Sequence, residues 1–338
     1  MQIHPDYHSL AVVEVVDETP DTRSFVLEIP PALDQTFAYV AGQFATFRAT
    51  IGGEPVVRCY SMSSSPDVGD RFTVTVKRVA GGKMSNWMND VLAPGATIEV
   101  MPPTGRFVLR ASEAPVVAFA GGSGITPVLS ILKTALATTR REIALVYANR
   151  SPGSVIFGGE LERLRAAADG RLAVHHHLDS ERGFLDAAAC AALVEDRVYA
   201  DFYVCGPAPY MEAVEAGLEQ RGVARSQVFL ERFELPDELP EVGETSLTES
   251  IVIRLDRRKH TLRYVKGDTI LEAARRAGLR PRFSCQVGNC STCMAHIEAG
   301  RVTMRVNEAL SDEEVEDGWV LTCQAIPLSR EVVVDYDG

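Results

Sequence analysis

No run of this chain is long and apolar enough to cross a bilayer. The longest, APVVAFA at 114–120, falls far short of the roughly 20 residues a membrane helix needs. The chain does not open on a basic region followed by an apolar one, so no secretory leader is expected. A cytoplasmic protein without membrane insertion is the expectation. Basic residues are also scarce: 34 Lys and Arg stand against 46 Asp and Glu, with no clustered basic face. That excludes the electrostatic footprint of a nucleic-acid binder. Long internal repeats and low-complexity tracts are absent too. The apolar content of 46% is ample for packed cores, and 338 residues suggest two or three domains.

The net charge of −12 is unevenly spread. The segment ELPDELPEVGETSLTE (234–249) carries six acids and no base. With its two prolines it reads as an extended linker. Ahead of it the chain changes character near 112. Short β-type runs punctuated by Pro and Gly predict an antiparallel β-barrel over 8–111. Apolar runs alternating with helical stretches predict a parallel α/β domain over 112–233. Behind the linker, 250–338 form a compact tail, with a helix near DTILEAARRAG that Asp268 is expected to cap.

Thiols crowd this tail. Cys285, Cys290, Cys293 and Cys323 have the spacing C-x4-C-x2-C…C, which suits a plant-type [2Fe–2S] cluster. Gly288 and Asn289 give the loop backbone latitude for left-handed conformations. Two other readings stay open on spacing alone. A zinc site of four cysteines would more usually pair two short C-x2-C knuckles, and four buried structural cysteines is the plainer alternative. Cys190, in an Ala-rich helix, reads as a small core residue.

Two further patterns lie in the front part. RCYS (58–61) ends a β run. Arg58 can pair with a pyrophosphate, Tyr60 can lie against a flat heterocycle, and Ser61 can hydrogen-bond a flavin nitrogen. Gly82, Lys83, Met84 and Ser85 turn into a helix whose free N–H groups favour phosphate. AGGSGITP (120–127) follows an apolar run and opens a helix, as a dinucleotide pyrophosphate site would. YVCGPAPYM (203–211) ends another strand, where such ligands bind, with Cys205 as a small soft residue beside the nicotinamide. Three adjacent histidines, His175–His177, cannot converge from a strand and read as a strand end. The acids of SDEEVEDG (311–318) read as a solvated loop near Cys323, in position to meet a partner's basic patch.

In this order the motifs resemble the ferredoxin–NADP reductase superfamily, in the layout with a C-terminal plant-type ferredoxin. Within it the chain is similar to the reductases that serve 3-ketosteroid 9α-hydroxylase and phenylacetyl-CoA epoxidase. The resemblance implies that Arg58, Tyr60 and Ser61 hold FAD, Val76 and Lys77 give it backbone contacts, and Gly82, Lys83, Met84 and Ser85 take its phosphates. It implies that Gly121, Gly122, Gly124, Ile125, Thr126, Cys205, Gly206 and Pro207 hold the nicotinamide dinucleotide. Ser61, Thr126, Cys205 and Phe233 would face the reaction.

The implied activity takes a hydride from NADH or NADPH, divides its two electrons at FAD and passes them through the cluster. A terminal oxygenase would receive them. YANRSPGS (147–154) lacks the acid that would hold a ribose 2′-OH, and offers Arg150 and Ser154 instead. The subgroup resembled leans toward NADH, so NADH is favoured. The alternative function is a non-catalytic electron-transfer or redox-sensing subunit of a larger complex. A monomer is expected.

Overall fold

The computed structural model describes residues 7–194, 196–233, 248–286, 288, 290–307 and 309–338. Most of the acidic segment (234–247) and Asn289 therefore lie outside the described residues. Two compact units divide the chain, Met1–Glu234 and Leu235–Gly338.

The first unit opens with six antiparallel strands: β1 (His8–Thr19), β2 (Thr22–Glu28), β3 (Phe44–Ile51), β4 (Glu54–Ser61), β5 (Thr73–Lys77) and β6 (Thr97–Val100). Their order is β4-β3-β6-β1-β2-β5. Met62, just past β4, bridges Val74 in β5 and so joins the two edges of the sheet. Closure removes the exposed edges, as the predicted barrel requires. The interior is filled by Phe25, Phe47, Met62 and Val74. Helix α1 (Lys83–Val91) packs onto this core through Met84 and Met88, one turn apart and both fully buried.

The chain then alternates β7 (Val116–Gly121), α2 (Ile125–Thr138), β8 (Ile143–Asn149), α3 (Gly158–Ala167), β9 (Leu172–Leu178), α4 (Asp179–Arg182), α5 (Ala187–Val194), β10 (Asp201–Cys205), α6 (Ala208–Gln220) and β11 (Val228–Glu231). The strands form one sheet, β11-β10-β7-β8-β9, with every pairing parallel. Both faces are covered, so β7, β8 and β10 are apolar nearly throughout. The chain builds outward from β7 in one direction, then returns to add β10 on its other side. The sheet's switch point therefore lies between the carboxyl ends of β7 and β10, where such sheets bind ligands. A buried ion pair ties the connecting segment to this sheet. The side chain of Arg141 is 0% exposed and donates to Asp201 at 2.5 Å and to the Arg110 carbonyl at 3.0 Å.

The second unit contains β12 (Ser250–Leu255), β13 (Arg258–Arg263), α7 (Ile270–Arg276), β14 (Met294–Ala299), β15 (Val302–Met304), α8 (Asp312–Glu316), β16 (Trp319–Leu321), β17 (Ala325–Pro327) and β18 (Glu331–Asp335). One sheet runs β13-β12-β18-β14-β16, and β15 pairs with β17. The cap of α7 differs from expectation. Thr269, not Asp268, is the N-cap: its hydroxyl accepts from the Glu272 N–H, while Glu272 accepts from the Thr269 N–H. This reciprocal pair satisfies two otherwise orphaned donors, which a lone aspartate one residue earlier would not. The acids at 312–317 form α8 and its end rather than a loop, capped in the same way by Ser311 and Glu314.

Candidate functional site

RCYS ends β4 beside β5. Tyr60 packs edge-on to Phe47 with ring centroids 5.7 Å apart, and burial raises its hydroxyl pKa. Among the described residues the exposed Arg58 guanidinium donates to its neighbouring carbonyl, that of Val57, at 2.7 Å. Ser61 is 3% exposed, yet its Oγ is buried without a hydrogen-bond partner among the described residues. A buried hydroxyl left unpaired costs free energy, so this atom fits a polar ligand edge such as a flavin nitrogen. The turn into α1 is tight. A Cβ on Gly82 would stand 2.5 Å from Ser85 Oγ, which itself accepts from the Val79 N–H at 3.2 Å. The Ser85 side chain therefore shapes the turn, and the buried Met84 anchors it. Lys83 pairs at the surface with Glu54.

At the switch point, Gly121 ends β7, Gly122–Gly124 follow it, and Gly206-Pro207 follow β10. Three glycines let these turns touch. A Cβ on Gly124 would lie 2.1 Å from the Cys205 carbonyl oxygen, and one on Gly206 would lie 3.1 Å from Gly121 Cα. Gly122 has φ +52, and Lys77 Nζ of the barrel stands 4.0 Å from where its Cβ would be. Lys77, which pairs with Asp21 in the barrel at 3.7 Å, thus lies near the glycine turn. Thr126 Oγ1 donates to the Ser123 carbonyl at 3.0 Å and fastens the turn to α2, beside the fully buried Ile125. Cys205 is completely enclosed, and burial raises its pKa well above the usual thiol value, so it stays a neutral thiol. Phe233, past β11, is 38% exposed.

Sequence reasoning missed Tyr210. Its ring lies 2.7 Å from a Cβ built on Gly206 and 2.9 Å from one built on Gly121. Its hydroxyl is buried with no partner among the described residues. The signal was present in CGPAPYM, but only burial distinguishes this tyrosine from a packing residue.

In the second unit the four cysteines stand as two pairs. Cys290 is hydrogen-bonded with Cys285, whose N–H lies 3.5 Å from Cys290 Sγ, and Cys293 is hydrogen-bonded with Cys323. The Cys285 contact lowers Cys290 to a pKa of about 6. Within the other pair the mutual hydrogen bond lowers Cys293 and raises Cys323. Among the described residues no three His, Cys, Asp or Glu side chains gather at a single point suited to a metal ion. Two donors for each of two centres is the arrangement a [2Fe–2S] cluster takes, so the set fits that group.

The loop is held open by left-handed residues: Gln286 at φ 60, Gly288 at φ 88 and Ser291 at φ 50. For Gln286 that conformation is unfavourable by about 1–2 kcal/mol. Its neighbours compensate. Arg275 donates to its side chain at 3.0 Å, and the Gln324 amide donates to its carbonyl at 3.0 Å. Thr322, beside Cys323, donates to the Cys293 carbonyl at 2.8 Å. The loop and the distant fourth cysteine are thereby strapped together.

Three family models match the chain in order: an oxidoreductase FAD-binding domain over residues 9–109, an oxidoreductase NAD-binding domain over 119–216, and a 2Fe-2S iron-sulfur cluster binding domain over 253–328. The chain is 37% identical to the 3-ketosteroid-9-alpha-monooxygenase ferredoxin reductase component of Mycolicibacterium smegmatis, covering 97% of this chain and 96% of that protein. The chain belongs to the family of flavin- and iron–sulfur-dependent oxygenase reductases.

Other members include a 1,2-phenylacetyl-CoA epoxidase component of Escherichia coli, 33% identical with 98% of each chain covered. The glycine betaine monooxygenase reductase subunit of Pseudomonas aeruginosa is 33% identical, covering 97% of this chain and 95% of that one. The solved phthalate dioxygenase reductase shares the three-domain fold, with a TM-score of 0.61 over 97% of this chain and 98% of its own, at 24% identity. As a member of this family the protein is an NAD(P)H oxidoreductase that uses FAD and a [2Fe–2S] cluster to move electrons. Among the described residues no helix is long and apolar enough to cross a membrane.

Proposed function

We propose that this chain oxidises NADH and delivers the electrons singly to a terminal oxygenase acting on a steroid or a CoA-thioester or aromatic substrate. Relatives named for such oxygenases align over nearly the whole chain, which supports that partner class. NADH is favoured by the resemblance to the 3-ketosteroid 9α-hydroxylase reductases, although the turn after β8 offers Arg150 and Ser154 and no acid for a ribose 2′-OH.

The observation that carries the site assignment is the orphaned Ser61 Oγ at the end of β4. In this reading Arg58, Tyr60 and Ser61 hold FAD, the backbone of Val76 and Lys77 meets its ring, and the N-terminal turn of α1 (Gly82, Lys83, Met84, Ser85) takes its phosphates. Gly121, Gly122, Gly124, Ile125, Thr126, Cys205, Gly206 and Pro207 form the dinucleotide site, with Tyr210 closing its floor. Phe233 shields the reacting face. The two cysteine pairs hold the cluster. Bound FAD supplies a hydride acceptor that releases electrons one at a time, and the cluster supplies a one-electron carrier. The protein's own part is orientation: Ser61 donates to the flavin edge, and the enclosed Cys205 thiol keeps the nicotinamide pocket apolar.

Stopped-flow reduction with each nucleotide tests the reading. Ser61→Ala is expected to slow flavin reduction by NADH about tenfold, worth about 1.4 kcal/mol, while FAD stays bound. Unchanged reduction in that variant, or faster reduction by NADPH than by NADH, contradicts it.

A further inference from the structure

Hydride transfer needs the nicotinamide and the flavin held at one close separation. In this fold the residues that face them belong to different halves of the first unit. Ser61 ends β4 of the barrel, and Thr126 lies in the first turn of α2. Whatever fixes α2 against the chain just past β4 fixes that separation.

A buried serine makes this connection. Ser130 lies in α2, one turn after Thr126 and on the same face, and is 0% exposed. Its hydroxyl donates to the Ser64 carbonyl at 2.5 Å and accepts from the Gly42 N–H at 3.3 Å. Both partners are barrel backbone. Ser64 lies three residues past Ser61, in a stretch from Ser61 to Ser65 that is buried throughout. Gly42 precedes Gln43, whose carbonyl accepts from the Met62 N–H at 3.0 Å. One hydroxyl therefore joins α2 to the two barrel segments that hold the end of β4. A serine inside a helix gains little for the helix itself, so its value here lies in these tertiary bonds. Gly42 permits the approach. It has φ +94, and a Cβ there would stand 2.0 Å from the Phe107 carbonyl oxygen and 3.0 Å from Ile131 Cδ1 of α2.

Further contacts follow along the same face of α2, at the positions three and four residues on. Thr134 Oγ1 donates to Asp67 at 2.8 Å and lies 2.7 Å from Ser65 Oγ. Lys133 pairs with Asp70 at 3.0 Å. These contacts keep α2 docked when Ser130 is changed. Of these hydrogen bonds, that of Ser130 lies nearest Thr126.

We propose that Ser130 is a positioning residue for hydride transfer, its paired bonds to Ser64 and Gly42 setting how far the glycine turn stands from the flavin edge at Ser61. This rests on the placement of FAD at Ser61 and of the nicotinamide at Thr126 proposed above. Ser130 acts through one turn of helix on one side and three residues of buried chain on the other. Without its hydroxyl a buried carbonyl and a buried N–H lose their partner, and the two segments shift to relieve them. A displacement of about 1 Å is enough to slow a positioned reaction roughly a hundredfold.

Ser130→Ala tests this, with Thr134→Val as the control that loosens the same interface one turn farther away. Flavin reduction at saturating NADH is expected to slow about tenfold in Ser130→Ala, while NADH affinity and FAD content hold. A second readout involves no turnover. NAD+ added to the chemically reduced protein is expected to give a weaker long-wavelength charge-transfer absorption than in wild type, because that band reports the stacking of nicotinamide on flavin. Thr134→Val is expected to lower unfolding stability to a similar degree, yet to keep the wild-type rate and band. A wild-type rate and band in FAD-containing Ser130→Ala, or equal losses in both variants, overturn the proposal, since the serine is then ordinary interface packing. Where Ser130→Ala takes up no FAD, Ser130→Cys, a weaker donor of similar size, is read by the same two measurements. A Ser61→Ala protein that reduces its flavin at the wild-type rate overturns the site reading beneath the proposal instead.

Discussion

The two units carry their chemistry in different ways. In the cluster unit it sits in four side chains, and the surrounding fold exists to bring Cys323 to a loop some thirty residues earlier. In the flavin and nucleotide unit it sits mainly in the backbone: glycines that let β7 and β10 turns touch, helix N-termini, and the Ser61 and Tyr210 hydroxyls, which have no partner among the described residues. A side-chain site fails all at once when one ligand is lost. A backbone site degrades by degrees, because each close approach contributes only part of the fit.

That contrast sets the expected effects in order. Cys290→Ser should abolish reduction of a one-electron protein acceptor, while NAD(P)H-dependent ferricyanide reduction stays largely intact. Loss of both, in a folded variant that keeps its FAD, would break the comparison, because the units would then not act separately. Asp201→Ala leaves the Arg141 guanidinium buried and unpaired. It is expected to destabilise the front unit by about 3–5 kcal/mol, read by denaturant unfolding of flavin fluorescence, with the visible spectrum of the cluster unchanged at low denaturant. Gly124→Ala forces a methyl against the Cys205 carbonyl. Overpacking of this kind costs roughly 1–3 kcal/mol, and nucleotide affinity is expected to fall about tenfold while FAD content holds. An unchanged affinity would mean that the two turns do not need their close approach.

The smallest effect concerns Glu18. Its folded pKa is raised above the ordinary value of 4.5. The protonated form is therefore favoured by folding, and that contribution is lost as pH rises from about 4.5 through the raised folded pKa. Glu18→Gln, which mimics the protonated form, is expected to raise Tm slightly at pH 7 and to leave it unchanged at pH 4. A lower Tm at pH 7 would show that the carboxylate's hydrogen bond to Ser24 outweighs its burial.

The same contrast explains what could be read in the sequence. Strand and helix alternation was legible because β7, β8 and β10 are buried on both faces and so are apolar without interruption. The cysteine spacing was legible because ligands must be particular residues at particular intervals. The glycines were legible as a phosphate turn, but not as contact points, because Gly124 meets Cys205 only once β7 and β10 lie side by side. Asp268 and Thr269 are both good caps, and only Thr269 has a glutamate three residues on to return the bond. Tyr210 was not legible at all. An orphaned hydroxyl is defined by burial, which no sequence pattern states.

The most direct test of the account is anaerobic addition of one equivalent of NADH to the purified protein, followed by electron paramagnetic resonance. The account predicts that the two electrons are shared: the signal of a reduced [2Fe–2S] cluster approaches one per chain, and the flavin absorption falls in part as the flavin keeps the other electron. A protein containing both groups whose flavin bleaches while the cluster stays oxidised, or one that leaves NADH unoxidised, would contradict it.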